Sequence, residues 1–182
     1  MGSRLEGRQQ AQTALAQHLL RTGLSRISLR QLALAAQVSD RMLLYYFADK
    51  AEALAAALMQ VAVGLTAQLE AALPLTTPRQ PRALAAAAAQ MTISPELRPY
   101  MRLWIEVVAG AARGEEPFPQ LAGQIAGGFI AFVEARLDTA NVPEPRATAT
   151  AIVAMIDGLA IIAVCADEAL VARAAQQLEH LL

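Results

Sequence analysis

Little in this chain of 182 residues invites metal or redox chemistry. It has one cysteine, Cys165, and two histidines, His18 and His180. A lone cysteine closes no internal disulfide, which fits a reduced, cytoplasmic setting. Such a set has no zinc-type spacing, so no metal or other cofactor is expected. Aromatic residues make up only 4% and β-branched residues are sparse, which removes the usual material of sheets. Charged residues are few as well, at 17%, while 55% of the chain is hydrophobic. That composition buries a sizeable core and excludes disorder as a bulk description. No Ser-His-Asp or Cys-His set and no phosphate-binding Gly-rich loop is present, so an enzyme is not expected. The polar start has no apolar segment behind it and does not read as a secretory leader. The long uncharged windows 53–69 and 117–133 both carry Gln, and the second opens on two prolines. Neither reads as a membrane span of about 20 apolar residues.

What the chain does have is Ala and Leu in abundance, which favours helices. Pro-containing breaks at 74–81, 114–119 and 141–145 divide it. The periodicity predicts helices over 8–21, from Ser28, after Ser39, over 49–72, 82–91, 95–113, 118–138, 145–166 and 167–181, and no strand. The expected fold is therefore all-α. Gly23 is expected to stop the first helix. Ser28 with Gln31, and Asp49 with Glu52, have capping-box spacing.

Charge is unevenly distributed. Residues 1–50 hold seven Arg or Lys against three carboxylates, a net of +4; the remainder holds eight against thirteen, a net of −5. A basic head on an acidic body is a pattern of nucleic-acid binding. Within the head, residues 29–47 read as helix, short turn, helix. Leu29, Leu32, Ala33 and Ala36 form the inner face of the first. On the second, Leu43 and Phe47 point inward with Val38, which turns Arg41 and Tyr45 outward and leaves Met42 and Leu44 on the flanks. An arginine so placed can pair bidentately with guanine in the major groove.

The stretch Leu32-Ala33-Leu34-Ala35-Ala36-Gln37-Val38-Ser39-Asp40-Arg41-Met42-Leu43-Leu44-Tyr45-Tyr46-Phe47-Ala48-Asp49-Lys50 resembles the DNA-binding signature of tetracycline-repressor-like (TetR-family) regulators. The resemblance covers about the first 55 residues; beyond them the match is one of helix number and length. It implies a three-helix helix-turn-helix DNA-binding domain over 1–50 and a helical ligand-binding and dimerisation domain over 51–182. Double-stranded DNA, a small-molecule effector and a second copy of the chain would be the partners. By the same resemblance, Ser39 caps the recognition helix, Arg41 and Met42 occupy base-reading positions, Tyr45 sits on sugar or base, and Tyr46 and Lys50 hold phosphates. Lys50 is the only lysine in the chain. Three positions depart from the family pattern. Gln37 stands where glycine is usual, in a turn expected to need positive φ; Leu44 replaces a common tyrosine; Asp40 places a carboxylate near DNA.

In the body, the helices over 118–138 and 145–166 are apolar on more than one side. Leu121, Ile125, Phe129 and Phe132 line one face of the first, and Ala122, Gly127, Ala131 and Ala135 another. In the second, Ile152, Ile156 and Leu159 mark one face and Ala151, Met155, Gly158 and Ile162 another. A helix apolar on two sides must be covered on two sides, and a symmetric dimer through a four-helix bundle supplies that cover. A greasy pocket lined by Met59, Val63, Met91, Met101, Trp104, Val108 and Phe129 is the expected effector site, with Glu106 and Arg102 as candidates to orient the ligand. The function these readings imply is a repressor released from an inverted-repeat operator by a largely apolar effector. The rival is an all-helical small-molecule-binding or interaction protein that has lost operator binding, a reading that Asp40 and Leu44 favour.

Overall fold

The computed structural model describes residues 2–25 and 27–181, with side chains over 4–25 and 27–177, so the side chain of His180 lies outside it. The chain is all-α: α1 Gly2–Thr22, α2 Leu29–Ala35, α3 Asp40–Tyr46, α4 Lys50–Ala72, α5 Pro81–Thr92, α6 Arg98–Ala112, α7 Phe118–Glu134, α8 Pro145–Cys165 and α9 Glu168–Leu181. A 3-10 turn, Thr139–Asn141, precedes α8. The only strand-like pairing among the described residues is an isolated bridge between Arg79 and Leu137.

Packing divides the chain into two compact units. The first comprises Met1–Leu65 and Leu103–Gly123, the second Thr66–Arg102 and Gln124–Leu182. In the first unit, Leu15, Leu19, Leu32, Leu43 and Phe47 are fully buried. Each stabilises the unit by about 1.5–3 kcal/mol relative to exposure. Leu32, Leu43 and Phe47 are among the positions that the 3.6-residue period assigns to the inner faces of α2 and α3. Helix α4 joins them through Ala53, Leu54, Ala57 and Leu58. In the second unit, Leu84, Ala85, Val133, Leu137, Ala149 and Ile152 form one cluster and Ala89, Leu159, Val171 and Ala175 another.

The helix ends follow local chemistry. Gly23 stops α1 at φ 74°, with its N–H on the Leu19 carbonyl at 2.8 Å. Ser28 forms the complete capping box with Gln31. Asp49 forms only half of the expected one. Its carboxylate takes the Glu52 N–H at 2.8 Å, but the Glu52 side chain reaches back to the Ala48 N–H, at 2.6 Å. Helix α1 starts six residues before the expected position, at Gly2. Helix α6 starts at Arg98, because residues 94–97 form a turn closed by Arg98 N–H on Ser94 O, and Pro99 is tolerated in the first helical turn. Helix α7 ends at Glu134 instead of 138. There the backbone leaves the helix to pair with Arg79, whose N–H reaches Arg136 O at 2.9 Å and whose carbonyl accepts Asp138 N–H at 2.8 Å.

Arg136 anchors this exit. It is 3% exposed, donates Nε–H to Leu73 O and Nη1–H to Phe132 O, and stacks on the Phe132 ring at 3.3 Å. Burial pulls its pKa below the ordinary arginine value, and Glu70, 3.9 Å away, counteracts that.

By length and composition alone, α4 and α8 would pass for membrane spans. The window 53–69 belongs to α4, whose apolar side is packed into the first unit; α8 was not among the windows weighed from sequence. Only 22% of the most apolar 18-residue stretch of α8 is buried, and Ile161, Ile162 and Val164 are exposed.

The turn between α2 and α3 has the geometry expected where the TetR-like signature usually carries glycine. Gln37 adopts φ 57°, its N–H on Leu34 O at 3.1 Å, and Val38 N–H closes on Ala33 O at 3.0 Å. This is the Schellman end of a helix, with the left-handed position filled by a residue that has a Cβ. The strain is about 1–2 kcal/mol. Gln37→Gly should therefore stabilise the protein by about 1 kcal/mol, net of the extra entropy glycine gives the unfolded chain. Urea denaturation would measure the gain, and an unchanged or lower midpoint would contradict it.

Candidate nucleic-acid interface

Helix α3 has only seven residues, Asp40–Tyr46, and is held from several directions. Ser39 caps it, its hydroxyl accepting the Met42 N–H at 3.1 Å. Asp40 in the first turn favours the helix N-terminus. Leu43 and, just past the helix, Phe47 are buried beneath it. The face that remains carries Arg41, Met42, Leu44 and Tyr45, all exposed, as the period requires. Lys50, the first residue of α4, is exposed as well. It lines a cleft of about 340 Å³ with Leu24, Ile27, Leu54, Phe118, Glu115 and Glu116. In that cleft the hydrogen bonds from Arg113, at 2.6 and 3.0 Å, hold Glu115 below the usual carboxylate range.

Tyr46 is only half exposed. Its ring lies 5.8 Å from that of Tyr45, and its hydroxyl lies so close to α1 that a Cβ at Gly7 would collide with it. Glycine at position 7 is what lets this tyrosine seat against α1.

Several positioning residues were not picked out by sequence reasoning. Arg8 on α1 donates to Glu52 at 2.7 Å and places its guanidinium over the Phe47 ring at 5.1 Å. Through Glu52, which also holds the Ala48 N–H, α1 and the chain between α3 and α4 meet at one carboxylate in the first turn of α4. Arg4 donates to the Tyr45 carbonyl at 3.1 Å and lies over the Tyr45 ring at 4.7 Å. Arg4 and Arg8 are four residues apart, hence on one helical face; the signal was legible once α1 is started before Gly7. Glu106 on α6 is committed to the α1–α2 turn. Its carboxylate accepts the Leu24 N–H at 2.6 Å and occupies the space a Cβ at Gly23 would need.

The expected effector-site residues are divided between the units. Met59, Val63 and Val108, all exposed, and half-buried Trp104 belong to the first. Half-buried Met91, Met101 and Phe129 belong to the second, where Met91 packs against the core. None of the seven lines the cleft beside Lys50. Of the expected interface residues, Ala131, Ala135, Ala151, Gly158 and Ile162 are exposed, while Ala122 and Met155 are half-buried. Ala135 lies one residue past the end of α7. A Cβ at Gly127 or Gly158 would meet nothing within 4 Å.

No family model matches the sequence, and no curated protein matches it. Solved structures do. A Rhodococcus protein assigned to the TetR family of transcriptional regulators superposes with a TM-score of 0.75 at 19% identity, over 97% of this chain and 98% of its own. The multidrug binding protein EbrR, complexed with imidazole, gives 0.68 at 25% identity, over 95% and 89%. Its complex with proflavin gives 0.67 at 26%, over 94% and 99%.

Glu52→Ala should loosen the junction of α1, α3 and α4. The loss of a capping contact and a half-exposed ion pair should cost about 1–2 kcal/mol. Chemical denaturation would read it, and a midpoint equal to wild type would show that the carboxylate holds nothing together.

Proposed function

We propose that this chain, which has the fold of TetR-family transcriptional regulators, is a DNA-binding regulator that acts as a repressor. Residues 1–50 would bind an inverted-repeat operator, and residues 51–182 would dimerise and take up a small, largely apolar effector that releases the DNA. The observation that carries this reading is the exposed face of α3. Arg41, Met42 and Tyr45 are presented together on a capped helix whose other side is buried, with Lys50 exposed just beyond it. A rigid element bearing an arginine and an aromatic ring suits the major groove, where side chains meet base edges. Asp40 would tolerate this setting as a helix-capping charge, or accept from a cytosine amino group.

The division of labour follows from the chemistry. Lys50 and Tyr46 would act on phosphates and fix position; Arg41 and Met42 would face bases; Tyr45 would pack on sugar or base. The body supplies the second head. Ala131, Ala151, Gly158 and Ile162 leave an apolar, small-residue surface on α7 and α8, and a second copy would cover it. Imidazole and proflavin in EbrR support a small-molecule effector here. The candidates to contact it remain Met59, Val63, Met91, Met101, Trp104, Val108 and Phe129. Regulation of genes, not catalysis, and a cytoplasmic location belong to the same reading.

The test is selection of duplexes from a random library, followed by titration of selected and scrambled DNA at several salt concentrations. Lys50→Ala should weaken binding to both alike and lower the salt slope by about one per subunit. Arg41→Ala should cost about 1–3 kcal/mol on the selected site and relax preference at one or two base pairs in each half-site. An unchanged salt slope for the first, with equal losses on both DNAs for the second, would refute these roles.

Ala151→Arg should place a desolvated charge in the dimer interface and shift the chain towards monomer or aggregate. Analytical ultracentrifugation would show it. A wild-type monomer at micromolar concentration would remove the dimer from the proposal.

A further inference from the structure

Arg4 stands apart from the other cations of the described structure in its relation to α3. Its guanidinium donates to the Tyr45 carbonyl at 3.1 Å and lies 4.7 Å from the centre of the Tyr45 ring. Tyr45 is 54% exposed and shares its outward face with Arg41 and Met42. Arg4 is itself exposed, so its charge reaches solvent at the edge of that face. The carbonyl it engages is among the last of a helix and has no partner within that helix, and a cation there also complements the helix dipole. One N–H of the planar fork is thus spent on the protein, and the remaining donors match phosphate oxygens.

We propose that Arg4 is a DNA-contacting residue: stacked on Tyr45, it holds a backbone phosphate from α1, in addition to Lys50 on α4. The inference rests on the reading of α3 as the recognition helix. Two observations make the contact directional. The ring of Tyr45 supports the guanidinium from below, and the hydrogen bond to the carbonyl sets its orientation. Neither contact buries the charge. A phosphate at this place would meet an arginine already ordered, so less side-chain entropy is lost on binding. The ring of Tyr45 is itself flanked on two sides, by Arg4 and by Tyr46, whose centroid is 5.8 Å away.

A purely structural role as a helix cap makes different predictions from a phosphate contact. The experiment uses the full-length chain and a duplex selected from a random library by the wild-type protein, with binding read by fluorescence anisotropy across salt concentrations. Arg4→Gln removes the charge and, because its amide ends two bonds short of the guanidinium tip, also gives up the bond to the Tyr45 carbonyl. It should lower affinity several-fold on selected and scrambled duplexes alike and reduce the salt slope by about one per subunit. The melting temperature should fall only slightly, because the cap and the ring contact that are lost both face solvent. Arg4→Lys keeps the charge and should keep the slope, with a smaller loss of affinity. Tyr45→Leu should remove the support, so that Arg4→Gln has a smaller effect in that background than in wild type. Should the fall in melting temperature be larger, the slope of Arg4→Lys and the cycle with Tyr45→Leu still decide. Wild-type affinity and slope in Arg4→Gln would overturn the inference alone. Failure of the wild-type chain to select any duplex would overturn the reading of α3 and this inference with it.

Discussion

A helix of seven residues has no stability of its own, since nucleation costs more than so few hydrogen bonds return. Helix α3 exists because Leu43 and Phe47 are buried under it and because Ser39 and Arg4 satisfy backbone groups at its two ends. The rest of the head is arranged around that requirement. Helices α1 and α2 both pack on α3, and their Leu15, Leu19 and Leu32 are buried in the same unit as Leu43 and Phe47. Glu52 ties α1 to the chain between α3 and α4. The outward presentation of Arg41, Met42 and Tyr45 follows from this burial, because a helix fixed on one side has no freedom to rotate the other.

The same geometry gives the departures from the TetR-like signature a physical meaning. Gln37 keeps the left-handed turn at the cost of strain, so the angle between α2 and α3 is held by the surrounding core and not by the turn residue. Leu44, 45% exposed, puts an apolar side chain where a tyrosine is common. In the proposed complex it would touch a thymine methyl or a sugar but offer no hydroxyl to a phosphate. A phosphate contact from Arg4 would replace part of that missing polar grip.

In the body, α7 and α8 each have one face packed and one face open. Ile152 and Leu159 are buried while Ala151, Gly158 and Ile162, on the same helix, are exposed. In the proposed dimer, small residues on the open side would let two backbones approach closely, and apolar ones would make that approach favourable. Helix α6 shows a different constraint. Glu106 sits where the chain turns between α1 and α2, and the left-handed Gly23 leaves room for its carboxylate. Any displacement of this part of α6 would be felt at the turn that leads into α2.

The sequence alone determined the all-α character, the breaks between helices, the cap residues Ser28 and Ser39, the stop at Gly23 and the inner and outer faces of α3. These are local properties: periodicity, capping and turn chemistry act over a few residues and can be read in order along the chain. The multi-sided apolarity of α8 was legible for the same reason. What only the tertiary structure decided is which distant groups meet. Arg4 and Tyr45 are 41 positions apart, Arg8 and Glu52 44, and Leu24 and Glu106 82. No periodicity encodes such pairs; they depend on how α1, α4 and α6 pack around the head. The end of α7 was beyond local reading too, because Arg136 is drawn out of the helix by backbone pairing with Arg79 and by carbonyls at Leu73 and Phe132. Burying a guanidinium costs several kcal/mol unless its hydrogen bonds are met, and only the folded chain brings those acceptors to it.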